Sequence, residues 1–261
     1  MAKRFAIQNF ISVVIAIFIG YYTQAIQLNG NTMASLSKEY YNLFTPANYA
    51  FAIWGIIYIA LLVFSIYHLV QVFAKKKLPQ FLLQTGNWFF IANIANAAWV
   101  VVWLLELTGV SVIIMLILLF SLIKIILNTN MERWNAPAKT IGFNWWPICI
   151  YSGWVTVATV ANIAAYLSKL GWHGGPLSEE NWTLIMIVVA VIINILAIYK
   201  RNMREFGLVG VWTLIAIYMR HSDTYNTIAY TALAGAIIIF LYASYHGFKN
   251  RKSNPFIKKV S

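Results

Sequence analysis

Charge is scarce in this sequence. Only 10% of its 261 residues are charged, against about 25% in soluble globular proteins, which excludes a soluble domain. A single cysteine, Cys149, leaves neither an intramolecular disulfide nor a thiolate metal cluster open to the chain. The seven acids supply no close carboxylate pair inside an apolar stretch. The four histidines, His68, His173, His221 and His246, lie far apart without metal-ligand spacing. A Gly-rich phosphate loop, a nucleophile elbow and a fixed-period or inverted repeat are all missing. The residues therefore call for no required cofactor, no metal ligand and no catalytic group.

The chain is instead rich in apolar residues, 61% of the total, with a mean hydropathy of +0.71. A membrane-spanning helix needs roughly 20 of them in a row. Eight stretches reach or approach that length: 5–26, 47–74, 87–107, 110–128, 145–168, 183–199, 206–220 and 225–247. The seventh is the shortest, and Arg220 can snorkel from its end. None shows the alternation of barrel strands, and an open sheet cannot sit in hydrocarbon. The expected fold is all-α, a polytopic integral membrane bundle of about eight helices. The opening Met-Ala-Lys-Arg and its apolar run carry no small-x-small cleavage site, so they read as a signal-anchor and first span. Pro46 and Pro147 are expected in the first turns of their helices. Ala229, Ala232, Ala234, Gly235 and Ala236 would let the eighth helix approach a neighbour closely.

The net charge of +12 would suit nucleic acid, but its placement suits a bilayer. With the N-terminus inside, one side carries fifteen cations: Lys3, Arg4, Lys75 to Lys77, Arg133, Lys139, Lys200, Arg201, Arg204, and Lys249, Arg251, Lys252, Lys258 and Lys259 in the tail. The other side carries Lys38, Lys169 and Arg220, and Lys124 sits near the inner end of a span. This positive-inside bias puts both termini in the cytoplasm, at a plasma or inner membrane. The partners expected are the lipid bilayer and a small hydrophobic ligand, not nucleic acid.

Indole and amide groups deep in apolar helices are costly unless they face something other than lipid. Trp54 and Tyr58 share one face of the second span, and Asn96, Trp99 and Trp103 one face of the third. In the fifth, Trp154 and Asn162 lie eight apart, with Thr159 on the adjoining surface. At 1.5 Å per residue they lie roughly 8 to 12 Å below the outer surface, where they could line one pocket. Packing and helix-to-helix bonding are the competing roles for the same residues. Trp88, Trp145, Trp146, Trp172 and Trp182 fit an interfacial belt instead.

The run from Pro46 through Trp54 to Tyr58 resembles the Pro-rich approach and W-x-x-x-Y signature of the translocator protein, or tryptophan-rich sensory protein (TspO/MBR), family. Asn96-Ala97-Ala98-Trp99 is similar to that family's N-x-x-W, and Tyr151, Trp154 and Asn162 to its Y-x-x-W-x(7)-N. The likeness covers about residues 5–168, and the W-x-P-P of the family's first loop is reduced here to Thr45-Pro46-Ala47. The resemblance implies a five-helix core over residues 1–170 with an aromatic cavity capped by residues 27–45. Residues 171–261 would then be three additional helices and a basic tail. It also implies a porphyrin- or haem-type or sterol-like ligand, and a homodimer. Val160, Tyr166 and Lys169 satisfy the short sterol-recognition pattern, which is frequent by chance.

Three readings follow: a receptor or carrier for a flat hydrophobic ligand, acting as sensor or transporter; a tetrapyrrole-modifying enzyme; or a transporter or scaffold working through the last three helices. An enzyme is the less favoured, since no acid, base or metal is on offer for it. Glu106, the acid nearest a membrane interior, is a functional candidate that at the outer end of its helix can also simply face water, and the neighbours His221 and Asp223 in a short outer loop read as a solvated turn.

Overall fold

The computed structural model describes residues 1–172, 174–251 and 255; His173 and the tail cations Lys252, Lys258 and Lys259 lie outside them. Every regular element among the described residues is helical, as expected of an all-α membrane bundle. Two compact units divide the chain.

The first unit comprises Met1–Tyr40 and Trp54–Met131. Its helices are α1 (Ala2–Ala25), α2 (Met33–Glu39), α3 (Ile53–Leu69), α4 (Gln80–Thr85), α5 (Trp88–Leu104) and α6 (Thr108–Asn128). A 3-10 turn, Asn48–Ala52, leads into α3, and a π turn, Val70–Ala74, follows it. α5 packs against α1 and α6. Thr32 caps α2 by accepting the Ser35 N–H, and the Ser35 hydroxyl accepts the Thr32 N–H in return. Gly86, with φ of +57°, separates α4 from α5.

The second unit comprises Tyr41–Ile53 and Glu132–Ser261. It holds α7 (Ala138–Thr140), α8 (Trp146–Lys169), α9 (Glu179–Arg201), α10 (Arg204–His221) and α11 (Asn226–Lys249), with a π turn, Ile141–Trp145, joining α7 to α8. Pro147 in the first turn of α8 explains that π turn. It has no N–H for the carbonyl four residues back, and its ring crowds that position, so the preceding turn widens. Pro46 differs from expectation, because helix begins only at Asn48 and Pro46 lies outside the first turn.

α10 packs against α8, α9 and α11, and glycines make the approach possible. A Cβ added at Gly207 would stand 2.6 Å from Ile198, one at Gly235 2.7 Å from Val191, and one at Gly153 3.1 Å from the Phe206 carbonyl; one at Gly210 would meet the Asn194 amide. The close neighbour expected of the eighth helix is thus within this chain, on α9 and α10. Ala229, Ala232 and Ala236 are buried with Gly235, whereas Ala234 is exposed. Without a hydrophobic drive between helices in lipid, such close packing is what holds them together.

Among the described residues, six helical runs are long and apolar enough to cross a membrane: Ala2–Ala25, Asn48–Ala74, Thr108–Asn128, Ala138–Lys169, Glu179–Arg201 and Asn226–Lys249. Trp88–Leu104 is apolar but shorter, and α10, the weakest stretch in the sequence, forms a helix of 18 residues. The chain is an integral, multi-pass helical membrane protein. Large apolar side chains such as Ile59, Ile113 and Leu241 point outward, as a lipid-facing surface requires.

Candidate functional site

The aromatic residues of α3 and α5 form one column of rings. Tyr58 and Trp54 lie 5.5 Å apart between centroids, Trp54 stacks on Trp99 at 6.2 Å, and Trp99 stacks on Trp103 at 6.2 Å. The two indole stacks are tilted by only 26° and 20°. Tyr21 extends the column beyond Tyr58, and Tyr40 closes it edge-on against Trp103. The periodicity explains the arrangement: spacings of four on α3 and of four on α5 put each pair on a single helix face. Gly20 leaves room for the Tyr58 hydroxyl, which a Cβ there would meet at 2.7 Å. Asn96 is fully buried on the same face of α5, and Asn93 beside it donates to the Phe89 carbonyl of its own helix.

Glu106 anchors the first loop at the end of α5. Its carboxylate accepts from the Tyr40 hydroxyl at 2.7 Å, from Asn31 at 3.0 Å and from Asn29 at 3.1 Å. Burial, and the acid beside it, push the Tyr40 phenol up to about 12. This acid, partly exposed at the helix end, is a clamp on residues 29–40.

The other three predicted residues lie on α8 in the second unit. Trp154 is buried and meets Phe51 edge-on at 6.0 Å. Thr159 gives its hydroxyl to the Val155 carbonyl of its own helix at 2.7 Å, and Asn162 is buried one turn further on. Residues 41–53 are strapped to α8 and α10 by a series of bonds. The Ala47 N–H donates to the Ala216 carbonyl, the Trp212 indole to Ala50 and Arg220 to Pro46, while His221 Nε2 lies 2.8 Å from the Leu43 carbonyl and Ser168 donates to Tyr41. His221 is fully buried in this role, a correction to its reading as part of a solvated turn.

Two hollows in the second unit were not visible in the sequence. One, of about 340 Å³, is largely apolar and is lined by Tyr41, Leu43, Phe44, Val160, Leu167 and Met186 among others. Trp172 and Trp182, assigned to the belt, also line it, as does Val160 of the sterol pattern; Tyr166 and Lys169 do not. The other, of about 590 Å³, is about half polar, with Glu132, Trp145, Asn202, Arg204, Glu205 and His246 in its wall. Trp145 is buried against Trp134 at 5.3 Å rather than sitting in a belt. Burial, then Glu205, push the Glu132 carboxyl up to about 8, with Arg204 opposing. These residues come from three distant stretches, so no spacing could announce them.

A family model for TSPO-like proteins matches residues 6–245. The chain belongs to the TSPO-like protein family. No curated protein and no solved structure matches it. The TSPO-like match runs well past residue 168, where the motif resemblance ended, and takes in α9, α10 and most of α11. Membership of this TSPO-like family places the chain among membrane proteins of the ligand-binding and sensing kind.

Proposed function

We propose that the protein is a membrane receptor or carrier for a flat hydrophobic molecule of the porphyrin or sterol class, working as a sensor or transporter. The observation that supports this most is the column from Tyr58 through Trp54 and Trp99 to Trp103. Near-parallel indoles offer a planar molecule a large contact area with few rotors to freeze. Asn96 would orient a polar edge of the ligand. The positive-inside pattern favours cytoplasmic termini.

Titration of the purified protein with protoporphyrin IX, followed by tryptophan fluorescence, tests the reading. Saturable quenching that is lost in Trp54→Ala is the expected result. Linear, non-saturating quenching, or a Trp54→Ala protein that titrates like the wild type, overturns it.

A further inference from the structure

Three metal-ligating groups come together in the second unit, two of them, Glu132 and Glu205, in the wall of its larger hollow. Glu132 precedes α7, Cys149 lies in the first turn of α8, and Glu205 in the first turn of α10. A carboxylate oxygen of each acid and the Cys149 sulfur all lie within 4.8 Å of one another. Glu132 and Cys149 are buried, and Glu205 is half-buried. Two carboxyl groups this close in a buried setting cannot both carry charge unless something positive lies beside them, and Arg204 stands in the same wall.

Their hydrogen bonding is left incomplete. Oε1 of Glu132 and Oε2 of Glu205 have no hydrogen-bond partner, although Glu132 is only 7% exposed. The Trp145 indole N–H, on a residue 2% exposed in the same wall, is also unpartnered. Unpaired buried groups of both kinds beside a hollow of about 590 Å³ indicate that something with its own charge and polar atoms belongs there. The Glu132 backbone is held in the left-handed region at φ of 63°, and the Asn202 amide donates to its carbonyl, so the carboxylate is set in place by the chain around it.

The geometry points to a binding site for a divalent ion of the zinc class, held by Glu132, Cys149 and Glu205 with its remaining position open to the hollow. The ligand set decides the class: a thiolate selects zinc or cobalt over magnesium and calcium, which take oxygen alone. Tetrahedral zinc holds its ligand atoms about 3.5 Å apart, so small side-chain rotations close the site. On binding, the Cys149 thiol gives up its proton to a neighbouring carboxylate oxygen of Glu132 or Glu205, which passes it on to solvent in the hollow they line. Two carboxylates and a thiolate then face a divalent ion and the Arg204 guanidinium, and the charges cancel. Water in the open position, within reach of the Trp145 N–H, would complete the coordination.

Cobalt substitution tests the site without reference to any organic ligand. Chelator-treated protein in detergent is titrated with Co²⁺, then with Zn²⁺, and with Mg²⁺ as control. The expected result is saturable near-ultraviolet thiolate-to-cobalt absorption at one ion per chain, displaced by Zn²⁺ and untouched by Mg²⁺. Cys149→Ser should lose that absorption, and Glu132→Gln should weaken binding by more than about tenfold. Absence of the band in the wild type, or its persistence in Cys149→Ser, overturns the proposal. Should either variant fail to fold, equilibrium dialysis of the wild type against Zn²⁺ decides: one tightly held ion per chain supports the site, and none overturns it.

Discussion

Glu106 in the first unit and Glu132 in the second share a backbone conformation, with φ of 61° and 63°, and differ in what surrounds the carboxylate. Glu106 receives hydrogen bonds from Tyr40, Asn29 and Asn31, and with them it fixes a loop. Glu132 keeps an oxygen unpaired beside a second acid and a thiol. An acid whose bonds are met within the fold serves the fold. One left open at a hollow is held in readiness for something else, and strain at such a position is retained only where the surroundings enforce it. The packing of the two units differs in the same way. Unit 1 stacks rings in its interior, whereas unit 2 brings backbones together over Gly153, Gly207, Gly210 and Gly235.

The contrast can be broken experimentally, starting with the rings. Trp99→Ala takes the middle indole from the column and should cost about 4 kcal/mol of stability, read as a large fall in Tm together with loss of saturable porphyrin quenching. Gly210→Leu drives a side chain into the Asn194 amide, and about 3 kcal/mol is expected from overpacking; porphyrin quenching per folded molecule should change far less than in Trp99→Ala. If the two variants lose quenching equally, the rings hold no special place. Glu106→Gln weakens three charge-assisted bonds and should cost about 2 kcal/mol, with faster proteolysis between residues 29 and 40. Glu132→Gln in metal-free protein should have the opposite sign, a gain of about 1 kcal/mol in thermal unfolding at pH 7, because burial and Glu205 raise the Glu132 carboxyl to about 8 and the folded state must keep it neutral where the unfolded chain ionises it. Equal losses for both glutamate variants would erase the distinction.

Much of the fold was legible from the sequence. Each of the eight apolar stretches corresponds to a helix within a few residues, because a run of that length in lipid has only one way to satisfy its backbone. The pairing of Trp54 with Tyr58 and of Trp99 with Trp103 was legible as well, since a spacing of four fixes a shared face. Roles that depend on distant partners were not. Nothing local to Glu106 names Tyr40 and the two asparagines, and nothing local to His221 names the Leu43 carbonyl. Belt and interior tryptophans look alike in sequence, so Trp145, which is buried on Trp134, was misplaced. Glu132, Cys149 and Glu205 converge through α10, the stretch whose hydropathy said least.

The strap of residues 41–53 bears on how this chain can be dissected. Its acceptors at Leu43, Pro46 and Ala50 are served by donors on α10, more than 160 positions downstream. A shortened version ending near residue 170 would leave the carbonyls of Leu43, Pro46 and Ala50 without those donors. The segment 41–53 and the last third of the polypeptide thus stand or fall together in any dissection of the chain.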